Sequence, residues 1–288
     1  MQIFRTVFFW KYYFEVAMVL RTSLLLSSLL LNSEAWVNLS EKDVRSLEQT
    51  DEILLSKILG CEANTSNVFK YLELGIYPIR FEIMKRKIIF LQYILQQEKT
   101  SMMYRVFEVT CENPIKNDFV EMCKNYLGVL DINITFDQIS VMSTWSFKKL
   151  VKQKTHEAAF KYLIEEKSKQ SKILNVKYEE LKIQEYLLEG NKNTEISRLI
   201  FKARGKCLDI KTQKSWKYKD ILCVGCGIND ETWDELISCR SYGEQKEEMG
   251  YDCFFSGSVS NMYEAAKVTR KRLKRREKIL EEMGEESS

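Results

Sequence analysis

Residues that interrupt regular structure are scarce in this sequence, which has only 2 prolines and 11 glycines among 288 residues. An all-β fold with many tight turns draws heavily on both residue types, so their scarcity argues against such a fold and favours long helices with short connections. We therefore predict a mostly α-helical chain. It would consist of a helical bundle or array, a small knuckle-like module on a CxxC…C pattern, and a basic C-terminal helix.

Histidine is almost missing too, since His156 is the single one. A single histidine argues against an endonuclease constellation of histidine, aspartate and glutamate. Two-metal phosphoryl transfer needs converging carboxylates, and no set of acidic residues has a spacing that suggests one. The sequence predicts neither an enzyme active site nor a small-molecule substrate.

Long apolar runs are absent as well. The longest begins at Thr22 and covers about 10 residues, whereas a membrane-spanning helix needs about 20. Glu15 and Arg21 interrupt the apolar stretch before it, and no A-x-A-like cleavage site follows. We predict a buried amphipathic helix within residues 6–31 and no association with a membrane. A signal or membrane segment is the alternative.

The 8 cysteines do not have the arrangement of a disulfide framework. Four of them are scattered through apolar or helical stretches, where a reduced, buried thiol is the usual state. The others include one close cluster near the C-terminus. A long chain of this kind, rich in lysine and glutamate, is typical of the cytoplasm or nucleus, so we predict an intracellular protein.

Capping residues predict where helices begin and end. Ser40 with Asp43 indicates one start, Thr50 a second, and Gly60 the end of that second helix. The predicted helix after Pro78 has an apolar face, with Lys85, Arg86 and Lys87 turned mostly to the other side. Further helices are predicted at 100–112, 116–128, 136–142, 144–169, 178–188, 194–204 and 260–282.

Composition divides the chain into four consecutive segments. Residues 1–60 form apolar N-terminal helices, and residues 61–195 a helical domain. Residues 196–245 carry a basic segment with the cysteine cluster, and residues 246–288 a basic and then acidic helix and tail.

The cysteine cluster has the spacing of a metal site. Cys223 and Cys226 form a C-x₂-C turn, and Cys239 follows after twelve residues. Zinc prefers four ligands in a tetrahedron, usually thiolates and imidazoles. The position one helical turn before Cys239 is Glu235, which is the predicted fourth ligand. Cys253 or Asp234 are alternatives, and a turn of reduced, metal-free cysteines is another.

Two basic stretches favour nucleic-acid binding, because lysine and arginine pair with phosphates while aromatic rings stack on unpaired bases. A solvated helix face is the alternative for both. The predicted contact residues are Arg198, Lys202, Arg204, Lys206, Lys211, Lys214, Trp216, Lys217, Lys219, Arg270, Lys271, Arg272, Lys274, Arg275 and Arg276.

Three strings carry a resemblance to a known family: LLLNSEAWVNLSEKDVRSLEQTDEILLSKILG, YLELGIYPIRFEIMKRKIIFLQYIL and KYEELKIQEYL, followed by the cysteine cluster. Together they resemble the C-terminal part of the polyprotein of non-LTR (LINE-like) retrotransposons, over roughly residues 11–240. The resemblance implies thumb-like and linker helices that follow a reverse-transcriptase palm and end in a zinc knuckle.

The sequence departs from that family in two places. Glu235 stands where the family knuckle has histidine, and the paired-aspartate polymerase motif does not occur in the 288 residues. The resemblance therefore implies a non-catalytic fragment that lacks the upstream polymerase domain and binds RNA or single-stranded DNA, with zinc as cofactor. A helical scaffold or protein-interaction protein without a nucleic-acid role is the alternative.

Overall fold

The computed structural model describes residues 13–189, 193–218, 220–243, 250–255 and 258–283. Most of these residues are helical, and no strand forms among them apart from an isolated β-bridge between Leu222 and Asp230. The predicted mostly α-helical fold is therefore confirmed.

The helices of the described residues are numbered in chain order. They are α1 (Tyr13–Leu20), α2 (Glu41–Leu59), α3 (Asn67–Leu74), α4 (Ile79–Leu95), α5 (Met102–Glu112), α6 (Phe119–Val129), α7 (Phe136–Val141), α8 (Thr144–Ser168), α9 (Glu185–Glu189), α10 (Thr194–Arg204), α11 (Trp233–Ser238) and α12 (Val259–Glu282). A π-helical stretch, Arg21–Leu26, and a short turn, Ser27–Leu29, continue α1.

The chain forms two compact units, each assembled from separate stretches of sequence. Among the described residues, one unit contains 13–17, 56–74 and everything from Lys167 onward, and we call it the knuckle unit. The other contains 18–55 and 75–166, and we call it the bundle unit. Packing thus joins stretches that are far apart in the chain, whereas the four segments predicted from composition follow chain order.

Helix α2 shows both the strength and the limit of capping signals. Ser40 caps it as predicted, because the Asp43 N–H donates to Ser40 Oγ at 3.2 Å. Gly60 ends it with a left-handed φ of 63°. The predicted second start at Thr50 is wrong: the helix runs through it, and the Thr50 hydroxyl donates to the Ser46 carbonyl one turn earlier, at 3.3 Å. A capping residue inside a continuous helix turns its hydroxyl back onto the helix in this way.

The helix predicted at 178–188 forms only as α9, from Glu185 to Glu189. Its first half is diverted because the Tyr178 hydroxyl and the Gln184 N–H both donate to Glu73, on another element of the knuckle unit. Tertiary contacts override helix propensity there. The remaining predicted helices are present, with ends displaced by a few residues.

Helix α4 is the central helix of the bundle unit and packs against α5, α6 and α7. Its residues Ile79 and Ile83 form a buried cluster with Leu26 and Leu30. Arg21 and Asp51 add a buried ion pair, in which two guanidinium nitrogens donate to the two carboxylate oxygens at 2.7 and 2.6 Å. The Arg21 charge, one of the two that interrupt the N-terminal apolar stretch, is therefore neutralised inside this unit.

Lys87 contradicts the prediction that the basic triplet of α4 turns away from the core. It is fully buried, and its ammonium group donates to the backbone carbonyls of Trp36 and Glu34. Burial lowers the pKa of Lys87 to about 8. Lys85 and Arg86 of the same helix are partly exposed, and both form ion pairs with Glu82.

The predicted N-terminal helix lies partly outside the described residues, since 6–12 are not among them. From Tyr13 to Leu29 the chain is helical. None of the helices in the described ranges has the length and hydropathy that a bilayer crossing requires.

Helix α12 is the central helix of the knuckle unit, where it packs against α9, α10 and α11. Beneath these helices lies the buried carboxylate of Glu73. It accepts hydrogen bonds from the hydroxyls of Tyr178 and Tyr186 at 2.5 and 2.6 Å, and from Arg204 Nε at 3.1 Å. Burial, together with this carboxylate, raises the pKa of both tyrosines well above its ordinary value.

Replacing Tyr178 with phenylalanine is expected to destabilise the protein by about 1.5–3 kcal/mol, because a hydrogen bond to a buried charge is lost. Urea unfolding followed by circular dichroism measures the change. Tyr93, whose side chain is 53% exposed, supplies the control Tyr93→Phe, which we expect to change stability by less than about 0.5 kcal/mol. Equal effects of the two variants would contradict the role given to the Glu73 cluster.

Candidate metal centre and basic surface

The first two cysteines of the cluster lie in a tight loop closed by backbone hydrogen bonds. The Cys223 N–H donates to the Asn229 carbonyl at 2.7 Å, and the Gly227 N–H donates to the Cys223 carbonyl at 2.8 Å. Gly227 has the left-handed φ of 66° that the turn requires. At Gly225 the reason for glycine is space, because a Cβ would lie 2.8 Å from the Ser241 side chain.

The other two members of the cluster come from α11 and its C-terminal end. Thr232 caps this helix by accepting the Glu235 N–H at 3.0 Å. The Cys239 N–H donates to the Glu235 carbonyl at 2.8 Å, so these two residues lie one helical turn apart and project from the same face. The spacing argument from the sequence is confirmed at this point.

Cys223, Cys226, Glu235 and Cys239 converge into one group, in which the ligand atoms all lie within 4.8 Å of one another. Neither of the alternative fourth ligands joins it. Tetrahedral zinc ligands with sulfur about 2.3 Å from the ion lie roughly 3.8 Å apart, so a small inward movement of the side chains suffices for coordination. Three thiol groups with one carboxylate are a donor set suited to zinc. Within the described residues this is the one group of its kind.

Two of the three thiol groups are already hydrogen-bonded. Cys226 Sγ lies 3.3 Å from Glu235 Oε1, and Cys223 Sγ lies 3.4 Å from the Tyr242 hydroxyl. Burial raises the pKa of the Cys223 thiol to about 11. Metals bind the thiolate, so binding must release a proton here.

A second layer of contacts holds the ligands in position. The Asn229 side-chain amide donates to Glu235 Oε2 at 3.0 Å, and Arg272 of α12 donates to the Cys239 carbonyl at 2.7 Å. The Trp233 indole N–H donates to Thr269 Oγ1 at 3.1 Å, also on α12. The cysteine cluster is therefore anchored directly on the central helix of its unit.

Glu231 is the centre of this anchoring and is fully buried. Its carboxylate accepts the Arg276 Nε–H at 2.8 Å, the Lys211 backbone N–H at 2.8 Å and the Tyr242 hydroxyl at 3.2 Å. Burial disfavours the charge of Arg276, but the carboxylate of Glu231 outweighs it and raises the pKa of the guanidinium group. Sequence reasoning missed Glu231, because its main partner lies 45 residues away.

Many of the basic residues predicted to bind nucleic acid have partners inside the protein. Arg204 donates to Glu73 and to the Phe254 carbonyl, and Lys211 pairs with Asp220. Arg198 donates to the Ile58 carbonyl at 2.9 Å. With Arg272 and Arg276 these side chains hold the knuckle unit together. Lys214 and Lys217 also form ion pairs, with Glu62 and Asp209 respectively.

The other predicted contact residues are more accessible. Trp216 is 68% exposed, and Lys271, Lys274 and Arg275 are exposed on α12. Lys202 and Lys206 are half-buried, and Arg270 pairs with Glu195 at the surface. Lys219 lies outside the described residues.

Comparison with known proteins gives no match to a protein-family model, to a curated protein or to a solved structure.

Proposed function

We propose that this chain is a non-catalytic C-terminal portion of a non-LTR retrotransposon reverse transcriptase, and that it binds RNA or single-stranded DNA. The retroelement part of the proposal rests on the sequence resemblance, in which this region follows the polymerase palm. The nucleic-acid part rests on one observation: α12 is fastened to the cysteine cluster by buried arginines and presents a row of lysines on its exposed side.

That row consists of Lys267, Lys271, Lys274 and Lys278, all exposed. They recur at steps of four, three and four residues, so they share one face of the helix. Lys267 pairs with Glu264, while the other three form no ion pair with a carboxylate among the described residues. A straight row of cations of this kind suits the regularly spaced phosphates of a nucleic-acid strand.

Zinc is the metal proposed for the cluster. Cys223, Cys226 and Cys239 would supply thiolates and Glu235 the carboxylate, leaving no open position, as in structural zinc sites. The metal would fix the loop against α11. Because Arg272 ties the Cys239 backbone to α12, the bound metal would also hold the lysine row at a fixed distance from the cluster.

The decisive test is the salt dependence of binding of a labelled single-stranded RNA by the full chain. Replacing Lys271, Lys274 and Lys278 together with glutamine is expected to reduce the slope of log affinity against log salt by about 2, since each phosphate contact on a single strand contributes about 0.7. Fluorescence anisotropy over a salt series measures the slope.

A matched control removes three exposed lysines from α8, at Lys148, Lys149 and Lys152. It changes the net charge equally and should leave the slope nearly unaltered. The nucleic-acid part of the proposal fails if the wild-type chain does not bind RNA at about 50 mM salt, where phosphate contacts are strong. It fails too if the two triple variants behave alike.

A second candidate function is a helical protein-interaction module, favoured by an apolar groove in the bundle unit. The groove has a volume of about 500 Å³ and is lined by residues that include Met102, Met103, Val106 and Phe119. Met102 is 83% exposed. Exposed apolar surface of this kind is common at binding sites for other proteins. Absence of both zinc and RNA affinity would favour this candidate.

A further inference from the structure

A polar cleft opens in the knuckle unit, away from the cysteine cluster. Its volume is about 360 Å³, within the range of about 300–1,000 Å³ typical of small-ligand sites. Three loops surround it: the one before α3, the one after α8 and the one after α10. A turn that carries Trp216 completes the wall.

Positive charge dominates the lining. The charged residues are Lys169, Lys172, Lys206 and Lys214, with Glu62 as the single carboxylate. Glu62 already forms an ion pair with Lys214. Lys172 and Lys206 form no ion pair with a carboxylate in the described part of the chain. The cleft therefore keeps an excess of positive charge, which selects for an anionic ligand.

The backbone adds to this preference. Helix α3 begins at the wall of the cleft, where Ser66 caps it by accepting the Phe69 N–H at 3.2 Å. The N-terminal end of a helix carries partial positive charge and favours anions. Lys206, which follows the end of α10 with a left-handed φ of 49°, also lines the cleft.

Trp216 gives the cleft a second kind of surface. Its indole is 68% exposed although it lines the cavity. A large exposed aromatic ring beside unpaired cations is the combination that proteins use to stack a nucleobase while holding the attached phosphate.

We infer that this cleft binds one nucleoside phosphate unit, with the base stacked on Trp216 and the phosphate held by Lys172 and Lys206. The inference rests on the proposed function in one respect: we take the bound unit to be part of a single strand of RNA or DNA. A free nucleotide has the same chemistry, and the experiment separates the two sources.

The test measures binding of labelled oligouridylate and of uridine monophosphate to the full chain at low salt. Trp216→Ala is expected to weaken binding of both ligands about tenfold, as loss of one base stack does, while Trp216→Phe keeps most of the affinity. Trp145, which is 72% exposed in the bundle unit, supplies the matched control Trp145→Ala, expected to have no effect. Replacing Lys172 and Lys206 with glutamine should reduce the salt slope for the oligonucleotide by about 0.7, because the two lysines hold one phosphate.

Circular dichroism melting of each variant checks that it is folded. Equal binding by Trp216→Ala and Trp145→Ala, with an unchanged slope in the lysine variant, overturns the cleft assignment, and the α12 variants then decide the proposed function separately. Binding of uridine monophosphate alone, weakened by Trp216→Ala, supports the cleft and overturns the proposed strand binding. Failure of the wild-type chain to bind either ligand overturns both.

Discussion

The full chain produced in zinc-containing medium is expected to hold one zinc ion, and Cys226→Ser is expected to bind it more than about 100-fold more weakly. Even residues that only support a zinc ligand change metal affinity by about 10–100-fold, and Cys226 is itself one of the four converging side chains. Structural zinc contributes an apparent binding free energy of about 10–16 kcal/mol in zinc-finger peptides. Its loss should therefore also unfold the loop around Gly225.

Elemental analysis of the purified protein and competition with a chromophoric chelator measure this change. Cys253→Ser is the matched control, because Cys253 belongs to the same unit but lies outside the four-residue group. It should retain the full zinc content. Glu235→His provides a third comparison and should raise the affinity, since imidazole is the more usual zinc ligand at a knuckle position. Equal zinc content in Cys226→Ser and the wild-type chain would rule out the assigned metal centre.

Glu231→Ala is expected to destabilise the knuckle unit by about 3–5 kcal/mol, because it leaves the buried Arg276 guanidinium without its counter-charge. Arg276 is only 2% exposed, so water cannot replace the lost carboxylate. The same substitution removes the acceptor of the Tyr242 hydroxyl, which contacts Cys223. Weaker zinc binding should accompany the loss of stability.

The surface pair of Glu195 with Arg270 gives a direct comparison, because its carboxylate side chain is 68% exposed. Glu195→Ala should change stability by only about 0–1 kcal/mol, as exposed ion pairs do. Thermal and urea unfolding of both variants measure the difference. If Glu231→Ala proved as mild as Glu195→Ala, the anchoring of the cluster on α12 would have to be discarded.

The sequence predicts those parts of the structure that depend on near neighbours. Ser40 and Gly60 bound α2 through contacts within a few residues, and Glu235 lies beside Cys239 because both belong to one helical turn. These relations follow from the helix repeat and from capping chemistry, and they need no knowledge of tertiary packing.

Contacts between residues that are distant in sequence cannot be predicted in the same way. Burial of Lys87 is tolerated because two carbonyls from another segment accept hydrogen bonds from its ammonium group. Tyr178 does not form part of the helix predicted for it, because its hydroxyl donates a hydrogen bond to the carboxylate of Glu73. A sequence pattern shows that a residue is charged or polar, but the partner that would compensate its burial is set only when distant segments pack. The assignment to a retroelement protein stays a prediction of the sequence resemblance.

The alternation of roles along α12 has a practical consequence for anyone who engineers this chain. Arg272 and Arg276 form hydrogen bonds in the interior of the unit. Lys271, Lys274 and Lys278 are exposed to solvent. Adjacent residues of one basic run therefore have different structural roles. Deleting or charge-reversing the whole run would remove the arginines that hold the unit together along with the lysines of the proposed RNA-binding surface. Substituting only the exposed positions, which recur every third or fourth residue, changes the surface charge and leaves the buried arginines in place.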